Sequence, residues 1–212
     1  RRLIYTAEVK VGSNDHEGQI NDFSQWLVTE RFSTDEQLHP MSNTGYSRSY
    51  YDSHPMKLLT VNYYDDYQFL SFIADTMQSR MAFEAFSDNS GIANATGLLT
   101  GTRTYYLDKI GNYSETVYYY DYRGREIQRR TTNHLGGIDV LSTKYDFANN
   151  VTDTWSSQST NNGLTTTEHY HYEYDHANRL LTTTYTFNNE PPIELQSYHY
   201  DELGRVRSRH IH

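Results

Sequence analysis

The chain has no cysteine among its 212 residues, so neither a disulfide frame nor a thiolate metal site is open to it, and thiols say nothing about its compartment. Concentrated positive charge is also missing. With a formal charge of −9 and no block of Lys or Arg, the chain is a poor partner for nucleic acid or an anionic membrane, both of which reward clustered cations. No apolar run approaches the roughly 18 residues needed to span a bilayer. The strong helix former Ala is scarce, which argues against a helical bundle. A Gly-rich phosphate loop, a serine elbow and a metalloprotease His-Glu pair are all absent, so the sequence presents no convincing active site and implies no cofactor. It opens on Arg1-Arg2-Leu3 without a signal-like apolar stretch, the pattern expected of a cytosolic protein or, better, of a fragment of a longer polypeptide.

What is abundant is Tyr, with 21 residues, and Thr, with 24. Tyr supplies more than a quarter of the apolar share of 36%, so a purely aliphatic core is not expected. Tyrosine buries its ring while keeping the hydroxyl bonded or wet, and both residues favour pleated, half-buried positions. The composition therefore points to extended sheet, and the length suits one large all-β domain or two small ones.

Internal repetition settles the kind of sheet. One pattern recurs four times: Tyr120-Asp121-Tyr122-Arg123-Gly124-Arg125, Tyr145-Asp146-Phe147-Ala148-Asn149-Asn150, Tyr174-Asp175-His176-Ala177-Asn178-Arg179 and Tyr200-Asp201-Glu202-Leu203-Gly204-Arg205. Asp followed three residues later by Gly or Asn is turn chemistry. The carboxylate accepts from the backbone two residues on, and Gly or Asn tolerates positive φ at the exit. Residues 108–112 keep this turn without the Tyr, and breakers at 133–137, 161–163 and 188–192 mark a second, alternating set of reversals. The strands left between them run about eight to eleven residues. Tyr170, Tyr172 and Tyr174 share one strand face and His169, His171, Glu173 and Asp175 the other; Tyr118 with Tyr120, and Tyr198 with Tyr200, fall in the same phase.

Toward the N-terminus the pattern weakens. Residues 59–65 alternate and end in Tyr64-Asp65, and residues 51–55 look like a degenerate turn. Leu70, Ile73, Ala74, Met77 and Met81 form a helical stripe, so one short helix is expected near 67–86, with loops at 87–91 and 94–97. The expected organisation is a degenerate region over 1–96 running continuously into a hairpin array over 97–212.

The four Tyr-Asp segments, with the runs GLLTGTRTYYLD (97–108) and TTNHLGG (131–137), resemble the RHS/YD-repeat family of large secreted or surface-associated bacterial proteins. The resemblance implies a curved or spiralling array of antiparallel hairpins, which in full-length relatives winds into a shell around a C-terminal domain, often a toxin. Four repeats are too few to close a shell. The expectation is a non-enzymatic wall or scaffold segment, extracellular or at the cell surface, whose partner is the rest of a longer polypeptide or an encapsulated C-terminal domain.

Three other features compete for a function. His169 and His171 alternate on one strand face with Glu173 and Asp175, a set able to hold Zn²⁺; a solvated face is the plainer reading, because one linear strand rarely closes a coordination sphere. Trp26 and Trp155, with the surface tyrosines, are candidate platforms for surface glycans or a receptor, against plain sheet packing. Asp65-Asp66 is a carboxylate pair of the kind glycosidases use, but neighbours on a strand point to opposite faces, so a turn or cap role is expected.

Overall fold

The structure is a computed structural model that describes residues 5–9, 44, 46, 56–73, 75–86, 95–108 and 112–212. Among the described residues it is all-β, an array of antiparallel strands with one short α-helix. The degenerate turn expected at 51–55 and the loop at 87–91 lie outside the described residues.

The chain divides into two compact units, residues 1–80 with 95–115 and residues 81–94 with 116–212. In the first, β1 (Tyr5–Val9) pairs with β2 (Met56–Asp65), which pairs with β3 (Ala95–Tyr105). The division falls within β4 (Tyr113–Tyr120). From there β5 (Glu126–Thr132), β6 (Ile138–Tyr145), β7 (Val151–Ser159), β8 (Thr165–Tyr174), β9 (Leu180–Phe187), β10 (Ile193–Tyr200) and β11 (Val206–Ile211) each pair antiparallel with the preceding strand.

Alternation explains the first unit's core. Val61 and Tyr63 of β2 are buried, and Tyr63 stacks on Phe69 at 4.3 Å and on Tyr46 at 5.6 Å. Gly101 faces Tyr63 across the ladder, and the Phe69 ring fills the space where a side chain at 101 would stand. A glycine in mid-strand thus admits a close-packed ring. The helical stripe expected over 70–81 is two pieces, a 3₁₀ turn at Gln68–Phe72 and α1 at Asp75–Met81. Ile73 separates them in an extended conformation, so Leu70 and Met77 do not share one helix face. Asp66 accepts from Gln68 N at 3.0 Å at the start of the 3₁₀ turn. Asp65 has φ 76° and accepts from Gly97 N at 2.6 Å, so the carboxylate pair serves local backbone geometry. The loop expected at 94–97 is corrected: residues 95–97 are already β3, held by Asp65 where the ladder shifts register.

The second unit's core sits where residues 81–86 cross one sheet face. Tyr119, Gln128, Ser142, Trp155 and His169 form a single cross-strand row from β4 to β8. The Tyr119 hydroxyl donates to Met81 O at 2.7 Å. Gln128 clamps Glu84 from both sides, its Nε2 donating to Glu84 O at 2.9 Å and its Oε1 accepting from Glu84 N at 3.1 Å. Phe83 packs on Tyr119 and Phe86 on Trp155, at 5.4 and 5.5 Å. This strap buries Met81, Tyr119 and Gln128, whereas most of β11 is exposed.

Candidate functional site: the Tyr-Asp corners

Each Tyr-Asp segment is a tight reversal between two strands: β4 and β5, β6 and β7, β8 and β9, β10 and β11. The Asp N–H donates to the carbonyl of the sixth motif residue, at 3.0 Å for Asp121 to Arg125, 2.9 Å for Asp146 to Asn150, 3.0 Å for Asp175 to Arg179 and 2.9 Å for Asp201 to Arg205. The fifth residue returns its N–H to the Asp carbonyl and takes positive φ: Gly124 73°, Asn149 81°, Asn178 60°, Gly204 78°.

The Asp side chain does more than the two-residue turn bond that its position suggests. Its Oδ1 also accepts from the N–H four residues on, and its Oδ2 accepts from the side chain of that same residue: Arg125 Nε at 2.7 Å, Asn150 Nδ2 at 2.8 Å, Arg179 Nε at 2.6 Å and Arg205 Nε at 2.7 Å. Arg or Asn at the sixth position is therefore part of the corner. The bonds from Arg179 hold the Asp175 carboxyl down at about 2. For Asp121 and Asp146, desolvation pushes upward, but the bonds from Arg125 and from Asn150 outweigh it, and both carboxyls sit below the usual range.

The corners are also tied to one another, through Tyr. Tyr145 Oη donates to Glu126 O at 3.0 Å, Tyr174 Oη to Val151 O at 2.9 Å and Tyr200 Oη to Leu180 O at 2.8 Å. In every case the acceptor is the first residue after the preceding corner. The Arg of that corner lies over the incoming ring, Arg125 over Tyr145 and Arg179 over Tyr200, both 4.5 Å from the centroid. Lateral bonds complete the link: Arg125 Nη1 to Asn149 Oδ1 at 2.7 Å, and Asn150 Nδ2 to Asn178 Oδ1 at 2.9 Å. Asn150, which opens a glycosylation-type triplet, spends its amide here.

The opposite rim uses related chemistry. Asn133 takes the Asp role at 133–137, its Oδ1 accepting from Leu135 N at 3.0 Å and Gly137 N at 2.9 Å, with Gly136 at φ 70°. Thr160 and Gly163 close the next reversal, and Phe187 and Glu190 the third. For the turn at 108–112, residues 109–111 lie outside the described ones, but Tyr106 N donates to Asn112 O at 2.9 Å across it.

The histidine face is arranged differently from the sequence expectation. Its carboxylate partner is Asp153 of β7, whose Oδ1 lies 3.0 Å from His169 Nε2 and 2.8 Å from His171 Nδ1. Glu173 is 4.0 Å from His171, and Asp175 is occupied by its corner. His199, on β10, pairs with Ser208 and packs edge-on against His210 at 6.0 Å. Among the described residues no group of three His, Asp or Glu is placed to hold a metal ion. Trp155 stacks on His169 at 4.8 Å with 3° between planes, so one ring face is covered from within the sheet. Trp26 lies outside the described residues.

A buried cluster in the first unit has no counterpart in the sequence reading. Arg103 of β3 and Glu115 of β4 pair at 2.8 Å with exposures of 0% and 1%, and Tyr113 lies 4.1 Å beneath the guanidinium. Burial pushes the Glu115 carboxyl upward and Arg103 opposes it. Nothing in one strand's pattern signals such a pair, since the partners are twelve residues apart across a turn.

No family model and no curated protein matches the chain.

Proposed function

We propose that the chain is a non-enzymatic structural segment of a larger secreted or surface protein of the RHS/YD-repeat kind, serving as part of a β-sheet scaffold. The observation that carries this reading is the corner-to-corner linkage of Tyr hydroxyl to strand carbonyl, repeated three times at a fixed motif position, with an Arg guanidinium over the ring in two of the three. Such linkage makes each hairpin a support for the next, the logic of a quasi-one-dimensional array. The Asp and the sixth residue of each corner are engaged in holding backbone geometry, which is the work expected of a scaffold. The family resemblance of the same four segments supports the exported, scaffold-forming context and a partner within a longer polypeptide.

An antibody raised against this chain tests the proposal in the source cells. The expected result is a polypeptide well above 24.9 kDa in the medium or on the cell surface. A cytosolic species of 24.9 kDa would contradict it. The alternative, a carbohydrate- or receptor-binding module using surface Tyr and Trp, predicts glycan-array binding that is lost in Trp155→Ala; the stacking of Trp155 on His169 weighs against it.

A further inference from the structure

The strap of residues 81–86 belongs to the second unit and lies on its sheet as a bound peptide would. Residues 83–86 are part of no strand or helix, and β4 to β8 pair with one another without them. Side chains of the sheet meet the strap's backbone instead, Tyr119 Oη at Met81 O and the Gln128 amide at both the N–H and the carbonyl of Glu84. The receiving groups are set by the sheet itself. Gln128 Nε2 also donates to Ser142 Oγ at 3.0 Å, and its Oε1 also accepts from Arg130 Nη1 at 3.2 Å. The amide's orientation is thus fixed from β5 and β6, and its second N–H and second lone pair point at the strap. Trp155 is held in the same manner, stacked at 4.8 Å on His169, whose Nε2 lies 3.0 Å from Asp153 Oδ1.

The spacing of these groups defines what they read. Tyr119, Gln128, Ser142 and Trp155 stand in one row across β4, β5, β6 and β7. The strap advances one residue per strand along that row: Phe83 packs on Tyr119 of β4, Glu84 is bonded by Gln128 of β5, and Phe86, two residues further, packs on Trp155 of β7. Arg130, beside Gln128, lies 3.4 Å from the Glu84 carboxylate. Glu84 is 77% exposed, so this contact selects an acid at the second place and adds little affinity. A preset amide for the backbone and two ring shelves for alternate anchors are the parts of a peptide-binding face.

We infer that the β4–β7 face of the second unit is a receptor for extended peptide segments of the pattern aromatic, acidic, any residue, aromatic, and that Phe83-Glu84-Ala85-Phe86 is its resident ligand, which a separate polypeptide carrying the same pattern displaces. The strap then sets a threshold. A tethered segment competes at an effective concentration on the order of mM, so a partner gains the face only when presented at a comparable local concentration. This binding role goes beyond the scaffold reading and does not depend on the linkage between corners.

The test uses the full chain, isotopically labelled and carrying Phe83→Ser and Phe86→Ser, which removes the strap's two rings and leaves Tyr119, Gln128, Arg130 and Trp155 in place. The ligand is a peptide of residues 82–86, Ala-Phe-Glu-Ala-Phe, blocked at both ends. The expected result is saturable binding, with shifts at the Gln128 side-chain amide and the Trp155 indole N–H. Binding should be at least about tenfold tighter than to the unsubstituted chain, whose own strap competes. Replacing either Phe of the peptide by Ala should weaken it about tenfold or more, and replacing its Glu by Lys about twofold to fivefold. A second arm does not depend on how that variant folds. In the otherwise unsubstituted chain, a nitroxide on Ala82→Cys, at an exposed position and the only cysteine present, should gain mobility as millimolar peptide displaces the strap. A folded variant that does not bind, affinity indifferent to the peptide's rings, equal affinity for the two chains, or a nitroxide spectrum unmoved by peptide would overturn the inference. A dimer of the unsubstituted chain that Phe83→Ser/Phe86→Ser abolishes would make a second copy the occupant and overturn the assignment to a separate partner.

Discussion

Asp175 shows how much one side chain does in a corner. It accepts from the N–H groups of Ala177 and Arg179 and from the Arg179 guanidinium, all within 3.0 Å, and its carboxyl is held at about 2. A folded-state pKa depressed in this way contributes stability that is complete above the unfolded value of about 4 and is lost as pH falls toward 2. Asp121, Asp146 and Asp201 are lowered too, so their contributions fade in the same direction. Urea midpoints should therefore drop between pH 4 and pH 2, and Asp175→Asn should flatten part of that drop; equal slopes for the two proteins would refute the assignment. Gly204, at φ 78°, is the backbone counterpart of this carboxylate. Gly204→Val should cost more than about 1 kcal/mol in a denaturant melt, because a β-branched residue is strained at positive φ. A neutral result would remove the reason for glycine there.

At the scale of elements, the strap of residues 81–86 is held at its middle by one amide. Gln128 is 2% exposed and supplies both a donor and an acceptor to the Glu84 backbone, so Gln128→Ala takes the partners from two part-buried backbone groups and leaves a void where the amide stood. A loss of about 2 to 3 kcal/mol is expected, with faster amide exchange confined to the strap. Exchange unchanged at Glu84 would show that the clamp is incidental. Buried charge is the other element-scale device. Removing Glu115 alone, as Glu115→Ala, takes the carboxylate from the buried Arg103 guanidinium and should cost about 3 to 5 kcal/mol in equilibrium unfolding. A loss of less than about 1 kcal/mol would mean that the pair is not a support of its unit. These elements also mark the limit of what the sequence displays. Asp at the second motif position and Gly or Asn at the fifth are local turn chemistry, and alternating Tyr and Thr are local strand chemistry, so strands, corners and the all-β class are legible residue by residue. Gln128, Glu115 and Asp153 are not, because their partners come from other strands or from a distant segment. The helical stripe over 70–81 signals the short helix at Asp75–Met81 but overstates its length, because extended backbone at Ile73 interrupts the period.

For the molecule as a whole, the account reduces to how neighbouring corners are joined. Two groups link them, an Arg or Asn reaching sideways and a Tyr hydroxyl reaching back, and the second recurs without variation at Tyr145, Tyr174 and Tyr200. Arrays joined this way gain stability from nearest-neighbour interfaces more than from one central core. Urea unfolding of Tyr145→Phe, Tyr174→Phe and Tyr200→Phe, compared with Tyr122→Phe, whose side chain is 79% exposed at a corner tip, measures that joint directly. Each of the first three should lose about 0.5 to 1.5 kcal/mol and the fourth nothing beyond error. If all four were equally neutral, the Tyr-Asp corners would be separate turns that happen to lie side by side.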